Sequence, residues 1–117
     1  MALTLERLTE IVQIADSAGA VFTNPASTKS YVRLIVIHNT NTSTEIIELW
    51  NVPDDSGVGT AADANKMNKI SVLTNDTVNL EFSGPGLVLV DENDSIQAKT
   101  TTASKVTIQI HGAKETT

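Results

Sequence analysis

Hydrophobic and polar positions alternate with a period of two in several short segments of this chain. In "KVTIQIHG", Val106, Ile108 and Ile110 alternate with Thr107, Gln109 and His111, which predicts a strand with one dry and one wet face. "TVNLEF" repeats the pattern, with Val78, Leu80 and Phe82 against Asn79 and Glu81. "DSIQAKT" follows it more weakly through Ile96 and Ala98. "YVRLIVIH" is apolar on both faces, with Val32, Leu34 and Val36 on one and Ile35 and Ile37 on the other. That pattern predicts a central strand, or one covered by a neighbouring subunit. Its expected partner is "TEIIELW", with Ile46 and Trp50 on one face and Ile47 and Leu49 on the other, so that Tyr31 and Trp50 lie at corresponding ends. The intervening "HNTNTST" lacks Asn-Gly and is long for a tight hairpin, which predicts a wider loop whose side chains bond their own backbone.

Glycine and proline mark the other corners, at "TNPAST", "VPDDSGVG" and "SGPG". The longest irregular piece runs from Pro53 to about Met67 and has room for a helical turn, but its length fits a loop lying over a surface. In "LTLERLTEIVQIAD", Leu5, Leu8, Val12 and Ala15 match a helical stripe, whereas Leu3 and Leu5, then Val12 and Ile14, match two strand pieces. The strand reading agrees with the rest of the chain and needs no separate cap. Short strands with turns every 8 to 12 residues or so predict an all-β fold, a single-domain antiparallel β-sandwich, jelly-roll-like, over residues 1–117. Residues 1–18 are expected to form an edge strand or assembly arm.

Composition narrows the chemistry. The 117 residues suit one domain. With aromatics at 3% the core must come from Val, Ile, Leu and Ala, and so thin a core makes oligomerisation attractive. A net charge of -6 with only 8 Lys and Arg argues against nucleic acid as a partner. There is no cysteine, hence no disulfide, thiolate nucleophile or Cys-ligated metal. No apolar run reaches the roughly 18 residues needed to span a bilayer, so no membrane partner is expected. Glu6 and Glu10 fall where a signal peptide would be basic and then apolar, which suggests synthesis and retention in a cytoplasm, or assembly there into something larger.

Candidate chemical groups have plainer readings. "DENDS" offers clustered oxygens, but a calcium loop starting at Asp91 would need glycine where Ile96 stands and glutamate where Thr102 stands. An acidic turn fits better, as it does for "PDDSG". His38 and His111 have no ligand-type neighbour at short spacing, no serine sits in a nucleophile elbow, and "GVG" and "GPG" do not join strand to helix. No enzyme and no cofactor are expected.

The order "FTNPASTKSYVRLIVIHNTNTSTEIIELWNVPDD", "ADANKMNKISVLTNDTVNLE" and "GPGLVLVDENDSIQAKTTTASKVTIQIHGAKE" is similar to a group of small virion proteins of tailed phages, from about residue 20 to the end. That group is marked by a Val-Pro corner, an Asn-Thr loop, a "GDSIQAKAS"-like strand and a final "V-x-V-x-I-x-G-x-E" strand. Two positions depart from it. Asn24 stands where valine is common before Pro25, and Asn93 stands where glycine usually precedes Asp94, so Asn93 is expected to be left-handed.

The resemblance implies a β-sandwich structural component of a tailed-phage particle without fixing which one; a head-decoration (cement) protein is placed first, with a neck, tail or fibre-attachment component as the alternative. Its partners would then be the major capsid protein or neck and tail proteins together with copies of itself, a trimer being favoured. It would reside in the virion after synthesis in the host bacterial cytoplasm. A carbohydrate-binding sandwich ranks third, because the few aromatic residues are needed for the core. The least self-sufficient pieces, Ala2 to Asp16 and Pro53 to Met67, are expected to carry the assembly contacts, with Leu3, Leu5, Leu8, Ile11, Val58 and Met67 as candidates. Deleting residues 2–15 is then expected to leave a soluble fold that no longer binds particles.

Overall fold

Alternation of apolar and polar side chains becomes the pleat of ten strands in the computed structural model, which describes residues 3–117, with side chains from Leu5 onward. In chain order they are β1 (Leu3–Arg7), β2 (Val12–Gln13), β3 (Gly19–Thr23), β4 (Thr28–Asn39), β5 (Glu45–Val52), β6 (Lys66–Val72), β7 (Thr77–Glu81), β8 (Leu87–Leu89), β9 (Ser95–Thr100) and β10 (Val106–Thr116). A 3-10 turn over Asp63–Asn65 is the helical turn for which the Pro53–Met67 segment had room.

The strands pair antiparallel in two sheets. The first has the order β1-β10-β4-β7, with β2 also beside β10 and β8 also beside β4; the second has the order β3-β9-β5-β6. Counting β1 with β2 and β7 with β8 as interrupted single strands leaves eight, and their arrangement in two four-membered sheets is that of a jelly roll. The N-terminal segment is extended, as expected, and forms the edge of the first sheet along β10.

The core lies between the sheets. Val32, Ile35 and Ile37 of β4 and Val106, Ile108 and Ile110 of β10 meet Ile47 and Leu49 of β5 and Ile96 and Ala98 of β9, all essentially without exposure. β4 is central, flanked by β10 on one side and by β7 and β8 on the other. This explains its two apolar faces, except that the register shift at Arg33 turns Val32 from the expected face of Leu34 and Val36 to the inner one: the inner face is fully buried, while Leu34 and Val36 on the outer face are half-buried.

The expected pairing of β4 with β5 does not occur. β4 belongs to the first sheet and β5 to the second, so "HNTNTST" crosses between sheets and Tyr31 and Trp50 are not opposite each other. The reason lies in Asn39, the fully buried last residue of β4. Its amide Nδ2 donates to the Ser43 carbonyl and to the Val72 carbonyl of the second sheet, both at 2.9 Å. Its Oδ1 accepts the Asn41 N–H at 2.8 Å, and the Asn41 side chain in turn accepts the Thr42 N–H. The loop does bond its own backbone as expected, but in doing so it turns a corner.

The opposite end is held by another asparagine. Buried Asn24 donates through Nδ2 to the carbonyls of Thr28 and Asp91 at 2.8 and 2.9 Å and accepts the Ser30 hydroxyl at 2.6 Å. Asn93, in the adjoining turn, has φ of 73°, the left-handed conformation expected there.

Candidate functional site

The acidic turns and the two histidines are engaged in hydrogen bonds within the fold. In "DENDS", the Asp94 carboxylate accepts the N–H groups of Val90 and Asp91 at 3.1 and 3.0 Å through one oxygen and that of Asp54 at 2.8 Å through the other. It therefore clasps two turns that lie 40 residues apart in sequence. Asp54 in turn accepts the Gly57 N–H at 2.9 Å. His38 Nδ1 lies 2.8 Å from the Thr77 hydroxyl, and His111 Nε2 lies 3.2 Å from Gln109 Oε1. Among the described residues, no group of three or more His, Cys, Asp or Glu side chains is placed to hold a metal ion.

Sequence reasoning passed over Glu45. Its side chain is buried at the same end as Asn39 and accepts Asn41 Nδ2, the Thr100 hydroxyl and the Thr102 N–H, each at 2.8 Å. Burial on its own would raise the carboxyl, but these bonds outweigh it and hold the pKa below its ordinary value of 4.5. Two of the three donors are more than 50 residues away in sequence, so no local motif could reveal the site.

The outer face of the second sheet carries Glu48 in an open depression of about 420 Å3, lined also by Asp16, Ile46, Lys69 and Lys99. Lys66 Nζ bonds Glu48 at 2.6 Å, with Lys99 Nζ at 4.0 Å. The Lys66 bond is the main cause of the lowered Glu48 pKa and the raised Lys66 pKa. Farther along the same face, Trp50, Val52, Ser95 and Gln97 are buried although they point away from the core. The loop from 53 to 62 lies over part of this face: Gln97 Nε2 donates to the Gly59 carbonyl at 2.8 Å. Gly59 lies so close that an added Cβ would come 2.9 Å from Val52 Cγ1. Trp50 keeps 6% exposure and Lys66 Nζ lies 5.4 Å from its ring centroid.

The six candidate assembly residues separate. Leu5 is 77% exposed, Ile11 49% and Val58 48%. Leu8, expected as an assembly contact, is 5% exposed and belongs to the core cluster of this chain instead. The cause is local: the Leu8 N–H bonds the Ile110 carbonyl at 2.8 Å, which keeps it on the β10 ladder with its side chain turned inward. Met67 is the extra residue of a bulge in β6 and packs half-buried against the core. The side chain of Leu3 lies outside the described residues.

Leu5 stands at the end of a row that crosses the outer face of the first sheet. The registers place Leu5 opposite Ala113, Ala113 opposite Tyr31 and Tyr31 opposite Val88. Beside it an open groove of about 470 Å3 is lined by Leu5, Glu6, Arg7, Arg33, His111 and Gly112.

No protein-family model and no curated protein matches the chain. Six solved chains do. The chain is similar to one described as Bacillus endospore appendages forming a novel family of disulfide-linked pili, with a TM-score of 0.54 and 12% identity over 97% of this chain and 88% of that one. At that identity the likeness is one of fold: two antiparallel sheets packed in a single all-β unit.

Proposed function

We propose that this protein is a structural subunit of a multicopy particle, specifically a head-decoration protein of a tailed-phage virion, and that it works by contact rather than by catalysis. The observation that carries the reading is the N-terminal edge, where Leu5 and Ile11 are exposed on a segment already fixed in the sheet. Large apolar side chains at an accessible sheet edge suit subunit contact. Among the buried polar groups, Asn24, Asn39 and Glu45 are engaged in holding corners. The sequence resemblance favours the virion over other assemblies, and the jelly roll is a fold that capsid components use among others.

The fold likeness favours a second reading, a subunit of a surface fibre. The disulfide linkage named for those pili has no counterpart here, because the chain has no cysteine; its contacts in any fibre would not be disulfides. The glycan-binding alternative loses its main support, since Trp50 and Phe22 are buried and unavailable as stacking platforms.

Quantifying the chain in purified virions separates these readings. Copy numbers on the order of hundreds mark decoration, since a capsid lattice repeats its contacts that often. A few copies per particle indicate the neck or tail. Absence from virions, together with filaments of the purified protein in negative stain, indicates the fibre reading.

A further inference from the structure

We propose that β1 is a self-pairing edge: two copies of this chain join antiparallel through β1, with Leu5 opposite Leu5 of the second copy, and so extend the first sheet across a twofold axis. The inference rests on the assembly reading above and names the edge, the partner and the register.

Hydrogen-bond phase supplies the first argument. In an antiparallel ladder, residues alternate between those that bond the neighbouring strand and those whose N–H and C=O point away from it. The Leu8 N–H bonds Ile110 at 2.8 Å, and Leu8 continues the register that sets Arg7 opposite His111. Thr4 and Glu6 share the phase of Leu8 and bond β10, so Leu3, Leu5 and Arg7 turn their backbone groups to the open edge.

Side chains choose the partner and the register. A twofold axis perpendicular to the sheet keeps each face on its own side, so the pairing must centre on a residue. Centred on Glu6 or on Arg7 it would set like charges directly opposite, which is unfavourable. Centred on Thr4 it would leave Arg7 without a partner in β1. Centred on Leu5 it sets Thr4 against Glu6 and Leu3 against Arg7, and every residue of β1 finds a partner in the β1 of the second copy. The row of Val88, Tyr31, Ala113 and Leu5 then meets its own image, and the 77% exposed Leu5 gains an apolar neighbour.

The other edges are less suited. β6 presents Lys66 and Lys69, a charge pattern that discourages self-pairing. β7 offers only Thr77, Asn79 and Glu81 on its exposed face. β3 carries a bulge, and β8 has three residues.

The chain has no cysteine, so Leu5→Cys and Arg7→Cys each introduce a single thiol into the full-length protein. In the proposed register Leu5 faces itself within disulfide reach, whereas the two Arg7 positions are separated by four residues along the strand, about 13 Å. Mild oxidation is expected to give a covalent dimer from Leu5→Cys at a rate at least roughly tenfold that from Arg7→Cys. Leu5→Pro removes only an outward N–H, a position an edge strand tolerates. It is expected to convert the dimer seen by sedimentation into monomer without changing the circular dichroism of the fold.

Equal crosslinking of the two thiols, a monomeric wild-type protein, or a trimer unaffected by Leu5→Pro overturns the proposal. Any of these found in a protein that is still present in many copies on particles leaves the assembly reading standing. Absence from every particle and fibre removes that reading, whatever β1 does.

Discussion

Asn39 and Gly112 show how much a single position carries here. Asn39→Asp keeps the shape but turns an acceptor toward the carbonyls of Ser43 and Val72, where the amide had donated. The buried Val72 carbonyl and the Ser43 carbonyl lose their partner beside a new charge, so stability in urea denaturation is expected to fall by about 3 kcal/mol. Gly112 lies where the β4–β10 register shifts, and a Cβ there would sit 1.8 Å from the Tyr31 carbonyl oxygen. Gly112→Ala must push the strands apart and is expected to cost about 3 kcal/mol in a thermal melt. Part of this was legible in the sequence. A wide loop at "HNTNTST" and a corner at Pro25 were expected, and the left-handed Asn93 was implied by the resemblance, whose members carry glycine there. That Asn24 and Asn39 are buried ties was not legible, because their partners Asp91 and Val72 lie 67 and 33 residues away.

Strands were readable from alternation, since a period of two states which residues share a face. It does not state which strand lies alongside, and so the β4–β5 pairing was misjudged while both strands were correctly located. The N-terminal strands show the same limit: extended structure was expected, but their bonding to β10 was not. Leu8 and Ile14 are buried in the core, so deleting residues 2–15 removes two core side chains and an edge ladder. That deletion is expected to destabilise the fold by about 3–6 kcal/mol by guanidinium titration, in place of the independent fold predicted from sequence. Glu45, at the start of β5, makes the second sheet sensitive to acid. Its pKa is lowered in the folded state, so its contribution is complete above the ordinary value of 4.5 and disappears as pH falls through the folded value. The stability difference between wild type and Glu45→Gln is therefore expected to be largest above pH 4.5 and to vanish in stronger acid. Melts across a pH series check this.

The whole molecule is built from pairings between distant segments. β1 joins β10 at the far end of the chain, and β3 joins β9. Both sheets must therefore close large loops before their contacts form, and refolding is expected in milliseconds to seconds, the range of about 10⁻³ to 1 s usual for such topologies. Stopped-flow measurements test it. At this scale the sequence conveyed the architecture well, because eight short strands with polar corners and few aromatics have few other ways to bury their apolar faces. Of the candidate contact residues, Leu5, Ile11 and Val58 are exposed and Leu8 is buried, a distinction that alternation by itself does not make.

The single tryptophan is buried and stands opposite Gln97, whose amide holds the loop from 53 to 62 through the Gly59 carbonyl, and an ammonium group lies near its ring. Its emission is therefore a built-in optical gauge of that loop. A blue-shifted spectrum marks the covered state, and a red shift at constant strand content would register the loop lifting when the protein meets a surface, with no label attached.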